Sequence, residues 1–230
     1  METPLVYGHR GASAAAPENT IEAYVLARDQ GADGVEIDVR RSADGILVLH
    51  HDPDLPDGRI VGATPAAELP ASVPTLDDAL DTCEGMVVNV EIKNIPGESD
   101  FDDTCSLADA VVGCLAARGA RDQVVVSSFH LATIDRVRQL APELTTGFLT
   151  LIEPTAADSV RLASKRGHGA IHPYHLFVDE ALVAAAHDAG LAVNTWTVDE
   201  PADLVRLADL GVDGIVTNVP DVALEVLGSR

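Results

Sequence analysis

The chain has 230 residues and a formal net charge of −22, from 37 acidic against 15 basic side chains. That length suits one sizeable core, and the charge argues against a nucleic-acid partner, because no basic stripe is available to neutralise phosphates. Binding to anionic headgroups is disfavoured on the same ground, and no apolar run approaches the ~18 residues that stable membrane insertion requires.

In chain order, an apolar run at residues 5–8 predicts a first strand, and the pattern at 21–30 a helix. A second strand follows at 35–39. Asp44-Gly45 then separates two apolar runs, which predicts a hairpin turn. Residues 46–49 should return antiparallel and deliver His51 near Asp38. Strands at 87–92, 124–127, 145–149, 170–172, 192–195 and 214–216 complete the set. The helices between and after them are predicted at 76–82, 104–117, 131–140, 156–165, 179–189, 201–208 and 219–227. Eight strands each followed by a helix predict an α/β fold, the (β/α)8 TIM barrel, with a small antiparallel hairpin and loop insertion after strand 2. An open doubly wound sheet is the alternative, but no Gly-x-Gly-x-x-Gly follows the first strand. With no internal repeat or linker, residues 1–230 read as one domain, and proline-rich 53–74 as a loop over the barrel mouth.

Because residues 4–7 already read as a strand, no secretory signal fits in front of them, and a soluble, cytoplasmic protein is expected. Cys83, Cys105 and Cys114 include no Cys-x-x-Cys, and the last two fall in one helical pattern. They read as small buried apolar residues in a reducing compartment. The acidic surface serves solubility or reflects a salt-rich cytoplasm. Only two lysines occur, Lys93 and Lys165, so a lysine inside a strand pattern stands out.

Strand side chains alternate faces with a period of two. Glu36 and Asp38 therefore share one face opposite Val35, Ile37 and Val39, and Glu91 shares a face with Lys93. Active sites of such barrels lie at the C-terminal strand ends, where His9, Asp38, Lys93, His172, Trp196 and Asn218 all fall. Glu36, Asp38 and Glu91 offer oxygen ligands to a hard divalent cation, Mg²⁺ or Ca²⁺; without one they would form a buried acid cluster paired with Lys93 and an arginine. His9 and His51 are candidates for general base and general acid, since imidazole titrates near neutral pH. Asp52 either orients His51 or stabilises its loop. Arg10 and Lys93 offer positive charge to a phosphate oxygen, or pair with the acids. Trp196 either walls a substrate pocket or fills the barrel, and His172 faces the pocket or caps a turn. Ser127 and Ser128 carry no assignment.

Taken together, His9-Arg10-Gly11, Pro17-Glu18-Asn19-Thr20, Glu36-x-Asp38, His51-Asp52-Pro53, Val90-Glu91-Ile92-Lys93, Trp196-Thr197-Val198 and Gly214-Ile215-Val216-Thr217-Asn218 resemble the glycerophosphodiester phosphodiesterases. The likeness runs through nearly the whole chain. It implies hydrolysis of a small-molecule glycerophosphodiester to glycerol 3-phosphate and an alcohol. It also implies a divalent cation on Glu36, Asp38 and Glu91, with His9 and His51 as the acid–base pair. The family's proposed route runs through a cyclic phosphate formed by the glycerol 2-hydroxyl. The chain departs from the family at Leu55-Pro56-Asp57-Gly58-Arg59, where many members carry an arginine and paired threonines, and the loop before Leu76 leaves no room for a capping domain. A metal-dependent sugar-phosphate isomerase or lyase would also need acids and a base, but has less use for two histidines beside Arg10 and Lys93. A non-catalytic binding protein on this fold would be expected to have lost a ligand or a histidine, and none is missing.

Overall fold

The computed structural model of the chain describes residues 3–119, 123–151 and 156–228. Its strands are β1 (Leu5–His9), β2 (Gly34–Arg41), β3 (Leu47–Leu49), β4 (Val87–Ile92), β5 (Val124–Ser128), β6 (Thr145–Thr150), β7 (Ala170–Pro173), β8 (Ala192–Thr195) and β9 (Gly214–Thr217). β3 aside, the strands pair in parallel in chain order, β2 joining β4, and β9 pairs with β1, which closes an eight-stranded barrel. The helices are α1 (Ile21–Asp29), α2 (Leu76–Thr82), α3 (Ser106–Arg118), α4 (Leu131–Leu140), α5 (Ala156–Arg166), α6 (Glu180–Asp188), α7 (Pro201–Leu210) and α8 (Pro220–Gly228). The expected TIM barrel is therefore present.

Its greasy layer lies outside the strands. Val35, Ile37 and Val39 of β2 are fully buried in one cluster with Tyr24 and Ala27 of α1 and Leu76 and Ala79 of α2. Each large side chain of this kind contributes roughly 1.5–3 kcal/mol by leaving water. The inward faces are polar, and they fit because large rings face glycines across neighbouring strands. A Cβ on Gly147 would lie 2.4 Å from the His172 ring, and one on Gly34 2.6 Å from Tyr7.

The hairpin forms as the Asp-Gly signal predicts. Gly45 takes φ 88°, a left-handed conformation that glycine adopts without steric cost, and the Ser42 amide donates to the Ile46 carbonyl. β3 then pairs antiparallel with the end of β2, Val39 opposite Leu49, outside the barrel. The buried guanidinium of Arg40 holds the far side of this hairpin. Its Nε donates to the His51 carbonyl at 3.0 Å, and it pairs with Asp100 at 2.8 Å and Glu98 at 2.9 Å on the β4–α3 connection.

Two expectations need correction. Residues 53–74 contribute nothing to the lining of the central cavity. They fold through two short 3-10 turns, and Leu55 and Val61 make a small core with Val48 of β3; that apolar contact outcompetes a position across the mouth. Cys105 stands outside the helix it was expected to share with Cys114, because it takes φ 57° and α3 starts at Ser106, whose amide is bonded by the Asp102 carboxylate. All three cysteines are free, and Cys114 is only half-buried.

His172 makes the barrel interior sensitive to acid. Its Nε2 accepts from the Asn194 amide at 3.1 Å, and burial lowers its pKa to about 4. The unfolded chain takes up a proton near pH 6.5, whereas the folded ring resists until about pH 4. Stability is therefore fully present above pH 6.5 and falls on acidification towards pH 4, by on the order of 3 kcal/mol. Urea denaturation of the parent and of His172→Gln at pH 7, 5.5 and 4.5 should show a weaker acid loss in the variant. Equal losses would assign the effect to other groups.

Candidate active site

The site begins in the turn after β1. Arg10 takes φ 57° and Gly11 φ 85°. A Cβ on Gly11 would sit 2.5 Å from the Ala23 carbonyl carbon of α1, so this close approach requires glycine. The turn aims the Arg10 amide at Glu36, donating to its main-chain carbonyl at 2.9 Å and to Oε2 at 3.1 Å.

Register brings the acids together. Asp38 lies opposite Glu91 across the β2–β4 ladder, and one carboxylate oxygen from each of Glu36, Asp38 and Glu91 falls within a 4.8 Å cluster. Asp38 is fully buried: Asn19 donates to its Oδ2 at 2.9 Å, Arg10 Nε lies 3.0 Å away, and Lys93 Nζ is 3.5 Å from Oδ1. Asn19 in turn accepts from the Asp38 amide and the Tyr24 hydroxyl through Oδ1. Lys93 also donates to Glu91 Oε1 at 2.9 Å.

These contacts divide the carboxyls. Burial would raise the pKa of Asp38, but Lys93 and Arg10 outweigh it and hold this carboxyl below the usual range. Glu36 is pushed well above its ordinary value, first by burial and then by Asp38 and Glu91. Burial also raises Glu91, despite Lys93. Two cations therefore do not compensate three buried acids. Buried Glu36 Oε1 and Asp38 Oδ1 have no hydrogen-bond partner. An all-oxygen donor set with unspent lone pairs suits Mg²⁺ or Ca²⁺, and a divalent cation would favour the ionised form of all three acids.

His9 and His51 face the same cavity, of about 280 Å³. His9 Nε2 is 4.0 Å from Glu36 Oε2, while Nδ1 lies 2.7 Å from Asn218 Oδ1. His51 arrives from beyond β3 with Nδ1 2.7 Å from Asp52 Oδ1. Burial lowers the pKa of both rings, helped by Arg10 at His9 and by Lys93 and Arg10 at His51. Both rings thus favour the neutral form, in which one nitrogen can accept a proton.

The apolar part of the lining is formed by Ile95, Phe129, Leu149, Leu151 and Trp196. Trp196 packs edge-on against Phe129 and Tyr174, and its Nε1 donates to the His172 carbonyl at 2.8 Å. Of the residues read from the sequence, His9, Arg10, Glu36, His51, Glu91, Lys93 and Trp196 all line the cavity, and Asp38 lies buried beside Glu91. His172 lines it as well. Ser127 Oγ is buried without a partner, and Ser128 donates to the Ile92 carbonyl.

Sequence reasoning gave no role to Asn19 or Arg40. Arg40 continues the two-residue spacing of Glu36 and Asp38, so alternation alone could have marked it as a buried cation. Nothing local marks Asn19, whose partners Tyr24 and Asp38 meet only in the folded chain.

Comparison with known proteins places this geometry. The model of the glycerophosphoryl diester phosphodiesterase family matches residues 9–222. A glycerophosphodiester phosphodiesterase of Caldanaerobacter subterraneus subsp. tengcongensis is 29% identical, over 97% of both chains. One from Bacillus subtilis is 28% identical, over 95% of this chain and 84% of its own. A solved phosphodiesterase of Oleispira antarctica, in complex with the product sn-glycerol-3-phosphate, superposes with a TM-score of 0.89 at 28% identity, over 98% of this chain and 97% of its own. A match across most of the chain, on a barrel whose carboxylates, cations and histidines meet in one cavity, means that the protein belongs to the glycerophosphoryl diester phosphodiesterase family of enzymes.

Proposed function

We propose that the protein hydrolyses small glycerophosphodiesters to glycerol 3-phosphate and an alcohol, with a divalent cation held by Glu36, Asp38 and Glu91. The observation that supports this most is that one cavity brings together Glu36 and Glu91, with Asp38 buried beside them, and Arg10, Lys93 and two histidines with lowered pKa. The cation would supply Lewis-acid stabilisation of charge on the phosphoryl oxygens. Arg10 and Lys93 add fixed positive charge beside them.

In this reading His9 Nε2 takes the proton of the glycerol 2-hydroxyl as its oxygen attacks phosphorus. The phosphorus–oxygen bond to the alcohol breaks, and His51 reacts here as the imidazolium: Asp52 accepts from its Nδ1–H, and the ring gives its Nε2 proton to the departing oxygen. Water then opens the cyclic phosphate with the proton roles reversed, and glycerol 3-phosphate leaves. Trp196 and its apolar neighbours shape the side that receives the alcohol. No helix among the described residues is long and apolar enough to cross a membrane, and we place the enzyme in the cytoplasm, acting on diesters from lipid and glycerol metabolism.

Activity on glycerophosphocholine or a related diester should disappear on exhaustive chelation and return with Mg²⁺ or Ca²⁺. Glu91→Gln should weaken cation binding at least ~10-fold in calorimetry while melting near the parent. Full activity in metal-free protein, verified by elemental analysis, would end the metal reading.

Replacing either histidine with alanine should lower kcat by about 10²–10⁴ and leave calorimetric cation binding largely intact. In the double variant the losses should combine less than multiplicatively, as expected of one proton relay. A single variant with near-normal kcat would remove that histidine from the mechanism.

A substrate analogue with hydrogen in place of the glycerol 2-hydroxyl retains phosphate, charge and leaving group. It should bind yet turn over far more slowly, because the tethered nucleophile contributes ~7–11 kcal/mol through proximity. Comparable kcat for the two compounds would show direct attack by water.

A further inference from the structure

His9 leans on a side chain from the opposite end of the sequence, and that side chain leans on another. Asn218, just past β9, has Oδ1 2.7 Å from His9 Nδ1, and the Ser13 hydroxyl donates to the same oxygen. The amide's Nδ2 donates to Asp199 Oδ2 at 2.7 Å. Asp199 Oδ1 accepts from the Asn218 main-chain amide at 2.8 Å and from the Thr217 hydroxyl at 3.0 Å. Every contact of Asp199 thus comes from a donor, as a carboxylate requires.

The direction of this chain follows from chemistry. A carboxylate can only accept, so the amide atom facing Asp199 must be the NH₂ group, and the Asn218 carbonyl must face His9. A carbonyl can only accept as well, so the hydrogen of the neutral imidazole sits on Nδ1. The lone pair is left on Nε2, the nitrogen turned towards Glu36. We propose that Asp199 is a positioning residue for phosphodiester hydrolysis: through the Asn218 amide it holds His9 as the Nδ1–H tautomer, with Nε2 free to take a proton. The kinetic part rests on the proposed role of His9; the tautomeric part does not.

The test is Asp199→Asn, a substitution of the same shape. The new carbonyl oxygen can keep the donors of Thr217 and the Asn218 main chain, but its NH₂ then confronts the NH₂ of Asn218. Rotation of the Asn218 amide relieves that conflict and turns a donor towards His9 Nδ1, so the ring hydrogen moves to Nε2. Nitrogen and carbon NMR of ring-labelled histidine in metal-free protein at pH 8, with His9 assigned through His9→Gln, reads the tautomer directly. We expect Nδ1–H in the parent and Nε2–H in Asp199→Asn. Steady-state kinetics of the cation-loaded enzyme should show kcat lowered by about 10²–10⁴, the range of a lost general base. KM should stay within a few-fold, since Arg10 and Lys93 are untouched.

In an Asn218→Ala background the same Asp199→Asn change should move neither the tautomer nor kcat, because the intermediary is gone. A role for Asp199 in packing alone would persist in that background. Retention of Nδ1–H in Asp199→Asn, or an equal loss of kcat with and without Asn218, would overturn the positioning role and leave that of His9 intact. An inverted tautomer with normal kcat in Asp199→Asn, together with an active His9→Ala, would instead remove His9 as the base.

Discussion

Everything at the barrel mouth is arranged around three buried carboxylates facing two buried or half-buried cations. Like charges gathered inside a low-dielectric shell repel strongly, and the chain meets this cost unevenly. Asp38 receives the side chains of Arg10, Lys93 and Asn19, whereas Glu36 keeps one buried oxygen with no donor at all. The left-handed turn at Arg10 and Gly11 belongs to the same arrangement, because it presents both a main-chain amide and a guanidinium to the acids. Removing either cation would leave the acids still less compensated.

The barrel supports this polar centre by turning inside out relative to an ordinary core. Apolar residues fill the layer between strands and helices, while the inward positions carry Asn, His, Tyr, Glu and Lys. Glycines at 34, 147 and 214 leave room for Tyr7, His172 and Asn194. The two histidines of the site are mounted differently. His9 closes a strand bonded on both sides by parallel neighbours. His51 belongs to an extension outside the closed sheet, whose carbonyl is tied down by Arg40.

How much of this could be read from the chain follows from the range of each interaction. A period of two is local, so Glu36, Asp38, Glu91 and Lys93 could be assigned to one face, and the parallel register made them neighbours as expected. Asp-Gly is equally local, and the hairpin followed. Residues 53–74 were harder: Leu55 and Val61 have no regular spacing, and only the presence of Val48 explains why they pack aside from the mouth. Cys105 illustrates the same limit, since an isolated left-handed residue leaves no mark on helical periodicity. Arg40 keeps the two-residue spacing of Glu36 and Asp38, but its partners Glu98 and Asp100 lie 58 and 60 residues away. Asn218 was legible as a rim residue; its link to His9 spans 209 positions.

The guanidinium of Arg40 also couples two regions that would otherwise vary separately. Glu98 borders the cavity and is at the same time an anchor of Arg40, whose other hydrogen bonds carry the main chain of His51. A substitution at position 98 is therefore felt twice, once by whatever the cavity holds and once by the hairpin across from it. Loops around a barrel mouth usually diversify with little penalty to the scaffold. Here the β4–α3 connection is mechanically geared to the histidine-bearing arm, so drift in one demands accommodation in the other.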